Sequence, residues 1–166
     1  MGKLDVVQSR ILDPQTLERK LAYWRFKGEK IVFTNGCFDL LHRGHIDYLT
    51  KAADLGNVLI IGLNTDDSVR RLKGAGRPVN DELSRALVVA SLSFVTAVVL
   101  FNEDTPYQLI GRILPDVLVK GADYKPEDIV GADIVMSHGG EVVTLEYLAG
   151  FSTTSMITRL GNIDRS

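Results

Sequence analysis

KIVFTNGCFDLLHRGHI, residues 30–46, decides how this chain is read. Residues 31–35 are rich in apolar and β-favouring side chains and read as a buried strand that runs into a turn at Gly36. Gly44 opens a helix, with His42 and His45 on either side of it. A strand, a tight loop and a helix start leave backbone N–H groups without partners at one point in space. Two imidazoles beside that point make a site for negative oxygens, and phosphate is the natural occupant.

Downstream, the helix is expected over 44–55, with Ile46, Leu49 and Ala53 on its inner face. Asp47 falls in the favoured first turn and can pair with Lys51, and Gly56 ends the helix. Residues 58–63, VLIIGL, read as a strand buried on both faces, so strand, helix and strand form a right-handed βαβ unit. Residues up to Leu72 give a short helix, and Gly74-Ala75-Gly76-Arg77-Pro78 a loop. Asn80 is placed to cap a helix over 81–92 that buries Leu83, Leu87 and Ala90. A strand follows at 96–101, then a helix over 104–113 with Pro106 near its start, and a strand ending at Lys120 and Gly121. Short strands are expected at 133–136 and 141–144 about Gly139-Gly140, and a last helix from Thr153.

Upstream, 13–27 reads as an amphipathic helix with Asp13 as cap, Pro14 at its first position and Leu17, Leu21 and Trp24 on one face. That face covers either the sheet or a partner subunit. Residues 1–10 read as frayed or loosely docked. The alternation gives an α/β fold, an open and mainly parallel sheet of about five strands with helices on both faces. Ligands bind such sheets beyond the carboxyl ends of the strands, where the motifs after Asn35, Asn64 and Lys120 fall.

Length and composition bound the rest. The 166 residues carry a formal charge of −2, with 45% hydrophobic and 24% charged residues, as in an ordinary soluble domain without a nucleic-acid footprint. Cys37 is the single cysteine, which excludes an intrachain disulfide framework and multi-cysteine zinc clusters. The amino terminus has no apolar signal core and no segment approaches the roughly 20 apolar residues of a membrane span, so a cytoplasmic protein is expected, without membrane or nucleic-acid partners.

Several residues are candidates for chemistry. His42 and His45 are two of three histidines. They bind an anion, or a metal if a third ligand exists, but the H-E-x-x-H pattern is absent. Arg70, Arg71, Lys73, Arg77 and Arg85 form a basic stretch. Arg70 and Arg71 are as well explained by a solvated face, whereas Lys73 and Arg77 flank a glycine-rich loop that can close over a polyphosphate, with Arg85 in reach of it. Lys120 is either a ligand contact at a strand end or a snorkelling surface lysine. Gly121 would let a flat base lie on the backbone, and Asp123 accepts from a ribose hydroxyl or caps a turn. Ser152, Thr153 and Thr154 make an anion nest at a helix start or simply cap it. Thr34, Asn35, Gly36, Cys37 and Phe38 offer backbone N–H groups to a phosphate chain or second substrate. Cys37 is a packing residue more readily than a nucleophile, and Asp39 buttresses the loop or binds a hydroxyl. GxxxxGK[ST], GxGxxG and a Ser-His-Asp set are all absent.

His42-x-Gly44-His45 and Phe151-Ser152-Thr153-Thr154 together resemble the cytidylyltransferase-like nucleotidyltransferases, whose signatures are H-x-G-H and an I/F-S-T-T stretch before the last helix. The likeness runs over residues 28–161. RLKGAGRPVNDELSRA, NEDTPYQLI, DVLVKGADY, IVGAD and GGEVVTLEYLAGFSTT look narrower, similar to the adenylyltransferase domain that makes ADP-heptose from D-glycero-β-D-manno-heptose 1-phosphate. That domain is often fused behind a sugar kinase; here a stand-alone form is expected, with an extension at 1–27 and the catalytic domain at 28–166.

The resemblance implies a Rossmann-like fold and in-line attack by a sugar phosphate on the α-phosphorus of ATP, with pyrophosphate leaving and no covalent enzyme intermediate. His42 and His45 would neutralise the phosphates, Lys73, Arg77 and Arg85 would belong to a mobile basic segment, and Ser152, Thr153 and Thr154 would touch the β- and γ-phosphates. Gly44 would allow close approach, and Gly121 with the loop near Val130 would line the adenine pocket. Mg²⁺ would arrive with ATP, and a homodimer is implied. Within the fold, glycerol 3-phosphate with CTP, phosphopantetheine, nicotinamide mononucleotide and FMN remain alternative acceptor chemistries. A non-catalytic nucleotide sensor is the alternative of another class.

Overall fold

The computed structural model describes residues 2–122 and 128–163. Its strands are β1 (Ile31–Gly36), β2 (Val58–Asn64), β3 (Ala97–Phe101), β4 (Val117–Gly121) and β5 (Glu141–Leu145). They form one sheet in the order β3-β2-β1-β4-β5, and each neighbouring pair is parallel. The chain leaves β1 toward β2 and β3 on one side, then returns to place β4 and β5 on the other. The order therefore reverses between β1 and β4, where the ends of neighbouring strands open a crevice.

The helices are α1 (Lys3–Gln8), α2 (Pro14–Phe26), α3 (Arg43–Ala53), α4 (Asp66–Lys73), α5 (Glu82–Ala90), α6 (Tyr107–Ile113), α7 (Ala132–Ser137) and α8 (Thr153–Ile163). They cover both faces. On one, Leu17, Leu21 and Trp24 of α2 join Ile110 and Ile113 of α6 and Val135 of α7 against Ile31, Phe33, Ile60 and Leu118. On the other, Tyr48, Leu49 and Ala52 of α3 and Ala86, Val89 and Ala90 of α5 pack on Val32, Leu59, Ile61 and Val119. The apolar stripe of α2 is thus used on the sheet of its own chain. Its start follows the sequence, with Asp13 Oδ1 accepting from the Thr16 N–H at 2.8 Å.

Four local expectations are corrected. Residues 133–136 lie in α7 rather than a strand: β5 runs parallel to β4, so the chain needs a crossover where a hairpin would have reversed direction. Helix α5 is capped by Asp81, whose side chain accepts from the Ser84 N–H, rather than by Asn80. Its buried face holds Arg85, Ala86, Val89 and Ala90, while Leu83 is 61% exposed. The face is rotated because Arg85 is buried with its guanidinium fully engaged, an arrangement hydrophobic periodicity does not register. Residues 2–10 are not loose: α1 leads to Ile11, which bridges Val98, and Arg10 Nη1 donates to the Ala90 and Leu92 carbonyls at 2.9 and 3.1 Å. Finally, α3 buries Tyr48, Leu49 and Ala52, with Ile46 and Ala53 half-buried. Asp47 does pair with Lys51, at 2.7 Å, but lies beyond the first turn because the helix begins at Arg43.

Candidate active site

His42 is the N-cap of α3, in extended backbone, and its Nδ1 accepts from the His45 N–H at 3.3 Å. The two imidazoles stack with centroids 3.8 Å apart and planes 17° from parallel. Burial lowers the pKa of both; for His45, with His42 adding to the effect and the Leu40 carbonyl opposing it, the value falls to about 4. Both rings are therefore neutral near pH 7. Since His42 Nδ1 accepts, its proton sits on Nε2. His45 Nδ1 is buried and makes no hydrogen bond to any described residue. A buried nitrogen left unpaired in this way is expensive unless a ligand meets it.

The chain reaches this cap through a left-handed Phe38, φ 44°, whose ring stands edge-on to His45 at 5.3 Å. A Cβ on Gly36 would lie 2.9 Å from that ring, so only glycine lets it fold back over the end of β1. The start of α8 closes on the same corner. A Cβ on Gly44 would sit 3.0 Å from Phe151 Cβ and 3.1 Å from His42 Nδ1. Gly44 is thus a glycine because two helix starts meet there, a different reason from the phosphate approach read in the sequence. Arg43 lies over the Phe151 ring at 5.9 Å. Ser152 does cap α8, its Oγ accepting from the Ser155 N–H at 3.1 Å, while Thr153 is half-buried and Thr154 exposed. The N-termini of α3 and α8, both positive dipole ends, are thereby brought together.

The basic stretch divides into different roles. Asp39, 3% exposed, accepts from Arg77 Nε at 2.7 Å, from the Val79 N–H at 2.9 Å and from the Asn80 N–H at 3.0 Å. Burial pulls its carboxyl up, but the Asn80 and Val79 N–H groups and the Arg77 guanidinium outweigh that and hold it below the usual range. Asp39 is therefore the buttress of the 74–80 loop. Arg85, 2% exposed, donates to Asp66 Oδ1 at 2.8 Å, the Cys37 carbonyl at 2.6 Å and the Asn80 carbonyl at 3.0 Å. In this conformation it braces the loop from beneath, rather than reaching toward an anion as the sequence reading had it. Arg70 pairs with Asp67 at 2.6 Å and Arg71 with Asp104 at 2.8 Å. Lys73 is exposed at the end of α4.

At the crevice between β1 and β4, neighbouring residues face opposite sides of the sheet. On the α3 side, Asn35, Gly36, Cys37, Phe38, His45 and Tyr48 line a cavity of about 110 Å³ together with Tyr147. The buried Thr34 hydroxyl shares a hydrogen bond with Tyr48 Oη at 2.9 Å. The bare face of Gly121 is covered by the Tyr147 ring, whose Cε2 would lie 2.2 Å from an added Cβ. On the other side, Lys120 lines a cavity of about 160 Å³ with Asp104, Thr105, Pro106, Asp128, Ile129 and Val130. Val130 lines this second cavity, while Gly121, read in sequence as a wall of the same adenine pocket, lies against the Tyr147 ring. Lys120 Nζ donates to Asn35 Oδ1, and burial lowers its pKa to about 8. Cys37 is half-buried, with its thiol pKa raised by desolvation, the reverse of nucleophile activation. Asp123 lies outside the described residues. Tyr48, Tyr147, Asp104 and Asp128 were missed in the sequence, because nothing in their spacing marks them.

Size does not mark this corner. A larger cavity, about 630 Å³, lies between the start of α2, β3 and α6, and is lined by Leu12, Pro14, Val99, Phe101, Leu109 and Arg112 among others. It contains none of the candidate residues.

A model of the cytidylyltransferase-like family matches residues 33–159, a span from β1 through the paired imidazoles to α8. The chain belongs to the cytidylyltransferase-like family. Curated relatives include the bifunctional protein HldE of Rhodopseudomonas palustris, 56% identical over 146 residues, which are 88% of this chain and 30% of the relative. The HldE proteins of Nitrobacter hamburgensis and Wolinella succinogenes are 54% and 51% identical, over 87% and 92% of this chain and 30% and 31% of their own length. The chain spans under a third of the curated relatives it matches. Among solved structures, a lipopolysaccharide core biosynthesis protein from Thermoplasma volcanium superposes with a TM-score of 0.61 at 27% identity, covering 73% of this chain and 99% of that one. A pantoate-beta-alanine ligase from Francisella tularensis gives a TM-score of 0.56 at 13% identity, over 94% and 79%, a likeness of fold alone. For this cytidylyltransferase-like chain no described helix is long and apolar enough to cross a membrane.

Proposed function

We propose that this chain transfers AMP from ATP to D-glycero-β-D-manno-heptose 1-phosphate, giving ADP-heptose and pyrophosphate. The observation that carries the reading is the pair of stacked, neutral imidazoles at the joined N-termini of α3 and α8, with the buried His45 Nδ1 making no hydrogen bond among the described residues. The HldE relatives and the narrower sequence likeness favour the heptose acceptor.

In this reading the triphosphate lies against His42, His45, Thr153, Thr154 and the backbone N–H groups of both helix starts. An oxygen of the acceptor phosphate forms a bond to the α-phosphorus as the bond to the oxygen bridging the β-phosphorus breaks, and pyrophosphate leaves with that electron pair. The attacking group is already an anion, so no strong general base is required. Orientation and charge cancellation carry the rate. As the polyanion approaches, each imidazole offers a hydrogen bond and gains basicity, so positive charge develops where the leaving group needs it. In the same reading Lys73, exposed at the loop edge, closes over the β- and γ-phosphates, and Arg77 joins it on leaving Asp39.

Among the described residues no group of three or more His, Cys, Asp or Glu side chains is arranged to hold a metal. Mg²⁺ prefers oxygen ligands, which the triphosphate itself supplies. A cytoplasmic location and a homodimer go with this reading, and light scattering at micromolar concentration tests the dimer.

The deciding assay is pyrophosphate release from ATP or CTP against heptose 1-phosphate, glycerol 3-phosphate, phosphopantetheine, nicotinamide mononucleotide and FMN. Selective turnover of ATP with the heptose supports the reading. Preference for another pair replaces the acceptor, and ATP binding without turnover on any of them defeats the enzymatic reading.

A further inference from the structure

Lys120 is a half-buried cation at the end of β4 whose only hydrogen-bond partner among the described residues is the uncharged Asn35 Oδ1. It makes no ion pair with a described carboxylate. A partly desolvated ammonium without a counter-charge is stabilised by a negative group that completes it. Asn35 also lines the cavity that holds His45, so it is the shared wall between the imidazole corner and the space beside Lys120. That space is about 160 Å³, room for one small ring. Its walls include Asp104, Thr105 and Asp128. Carboxylates repel a polyphosphate but accept hydrogen bonds from a polyol.

We propose that Lys120, oriented by Asn35, holds the phosphate of the acceptor, and that the cavity lined by Asp104, Thr105 and Asp128 takes its hydroxyl-bearing ring. The inference rests on the AMP-transfer reading above. It puts the two substrates on opposite faces of the sheet, with the triphosphate on the α3 side and the acceptor on the α6–α7 side, meeting over Asn35 at the end of β1. Acceptor choice is then set by residues outside the H-x-G-H and S-T-T motifs.

The test is the split between the two KM values. In Lys120→Met, KM for heptose 1-phosphate should rise at least roughly tenfold, the scale of one charge-assisted contact, while KM for ATP changes less than about threefold. Asp128→Asn, an exposed loop substitution that spares the core, should raise the acceptor KM alone. A pH series gives a signature that mere packing would not. The charged groups sharing the cavity are Asp104, itself paired with Arg71, and Asp128. Wild-type kcat/KM for the acceptor should fall as pH rises past about 8, where Lys120 loses its proton, and Lys120→Arg should flatten that limb. An active wild type whose acceptor KM is unmoved in both Lys120→Met and Asp128→Asn overturns this assignment alone. A change confined to KM for ATP overturns it too, and hands the cavity to the nucleotide. A wild type inactive on heptose 1-phosphate instead sinks the underlying reading, and this inference with it.

Discussion

Replacing Asp39 by Asn keeps the volume of the side chain and removes only its charge and one acceptor oxygen. The carboxylate of Asp39 is buried and receives the Arg77 guanidinium at 2.7 Å and two backbone N–H groups at 2.9 and 3.0 Å. Hydrogen bonds to a charged group contribute about 1.5–3 kcal/mol each, and stripping one partner from a buried ion pair costs about 3–5 kcal/mol. Asn retains one acceptor, so a loss of about 3 kcal/mol is expected. For a chain of this size that is roughly 6–12 °C in Tm. Thermal unfolding followed by circular dichroism at pH 7 measures it. The sign with pH follows from the direction of the shift. The Asp39 pKa is lowered in the folded state, so its contribution is fully present above the ordinary 3.8 and is lost as pH falls through the folded value. The gap between wild type and Asp39→Asn should therefore close in acid. The same variant removes the anchor that orders the 74–80 loop, so KM for ATP should rise as well. A Tm within about 2 °C of wild type at pH 7 would refute the claim that this carboxylate anchors the loop.

His42→Ala and His45→Ala should each lower turnover by at least roughly 100-fold while circular dichroism stays native, the scale of a lost transition-state donor; near-normal rates in either defeat their role. Cys37→Ser should keep most activity, because a thiol with a raised pKa is a poor nucleophile, and complete loss in a folded variant would reopen covalent catalysis. ATP binding near pH 6 should take up protons, since the phosphates raise the His45 pKa from about 4 toward the experimental pH. Calorimetry in two buffers of different ionisation enthalpy reads this uptake, and His45→Ala should reduce it.

What the sequence disclosed, and what it hid, follows from range. The strand of residues 31–35, the apolar run after Asn57 and the cap at Asp13 are local signals, and each appears where its side chains require. The paired imidazoles and the S-T-T hydroxyls were legible as motifs, and the fold brings their helix starts into contact. The errors came where tertiary demands override local pattern. Residues 133–136 alternate plausibly for a strand, but a parallel β5 needs a crossover helix. Arg85 read as a cation in reach of the polyphosphate because composition says nothing of three acceptors converging on it from Asp66, Cys37 and Asn80. Gly121 looked like a platform for a base until Tyr147, remote in sequence, proved to cover it.

The most direct test uses the fact that the chain has only three histidines, His42, His45 and His138. Long-range ¹⁵N–¹H spectra of the imidazoles, recorded during titration with a non-hydrolysable ATP analogue, resolve three ring systems. The account predicts that the His42 and His45 nitrogens shift with saturation, with His45 Nδ1 or Nε2 moving toward the protonated, hydrogen-bonded range, while His138 stays fixed. Saturable binding that leaves both of those rings unmoved would contradict it.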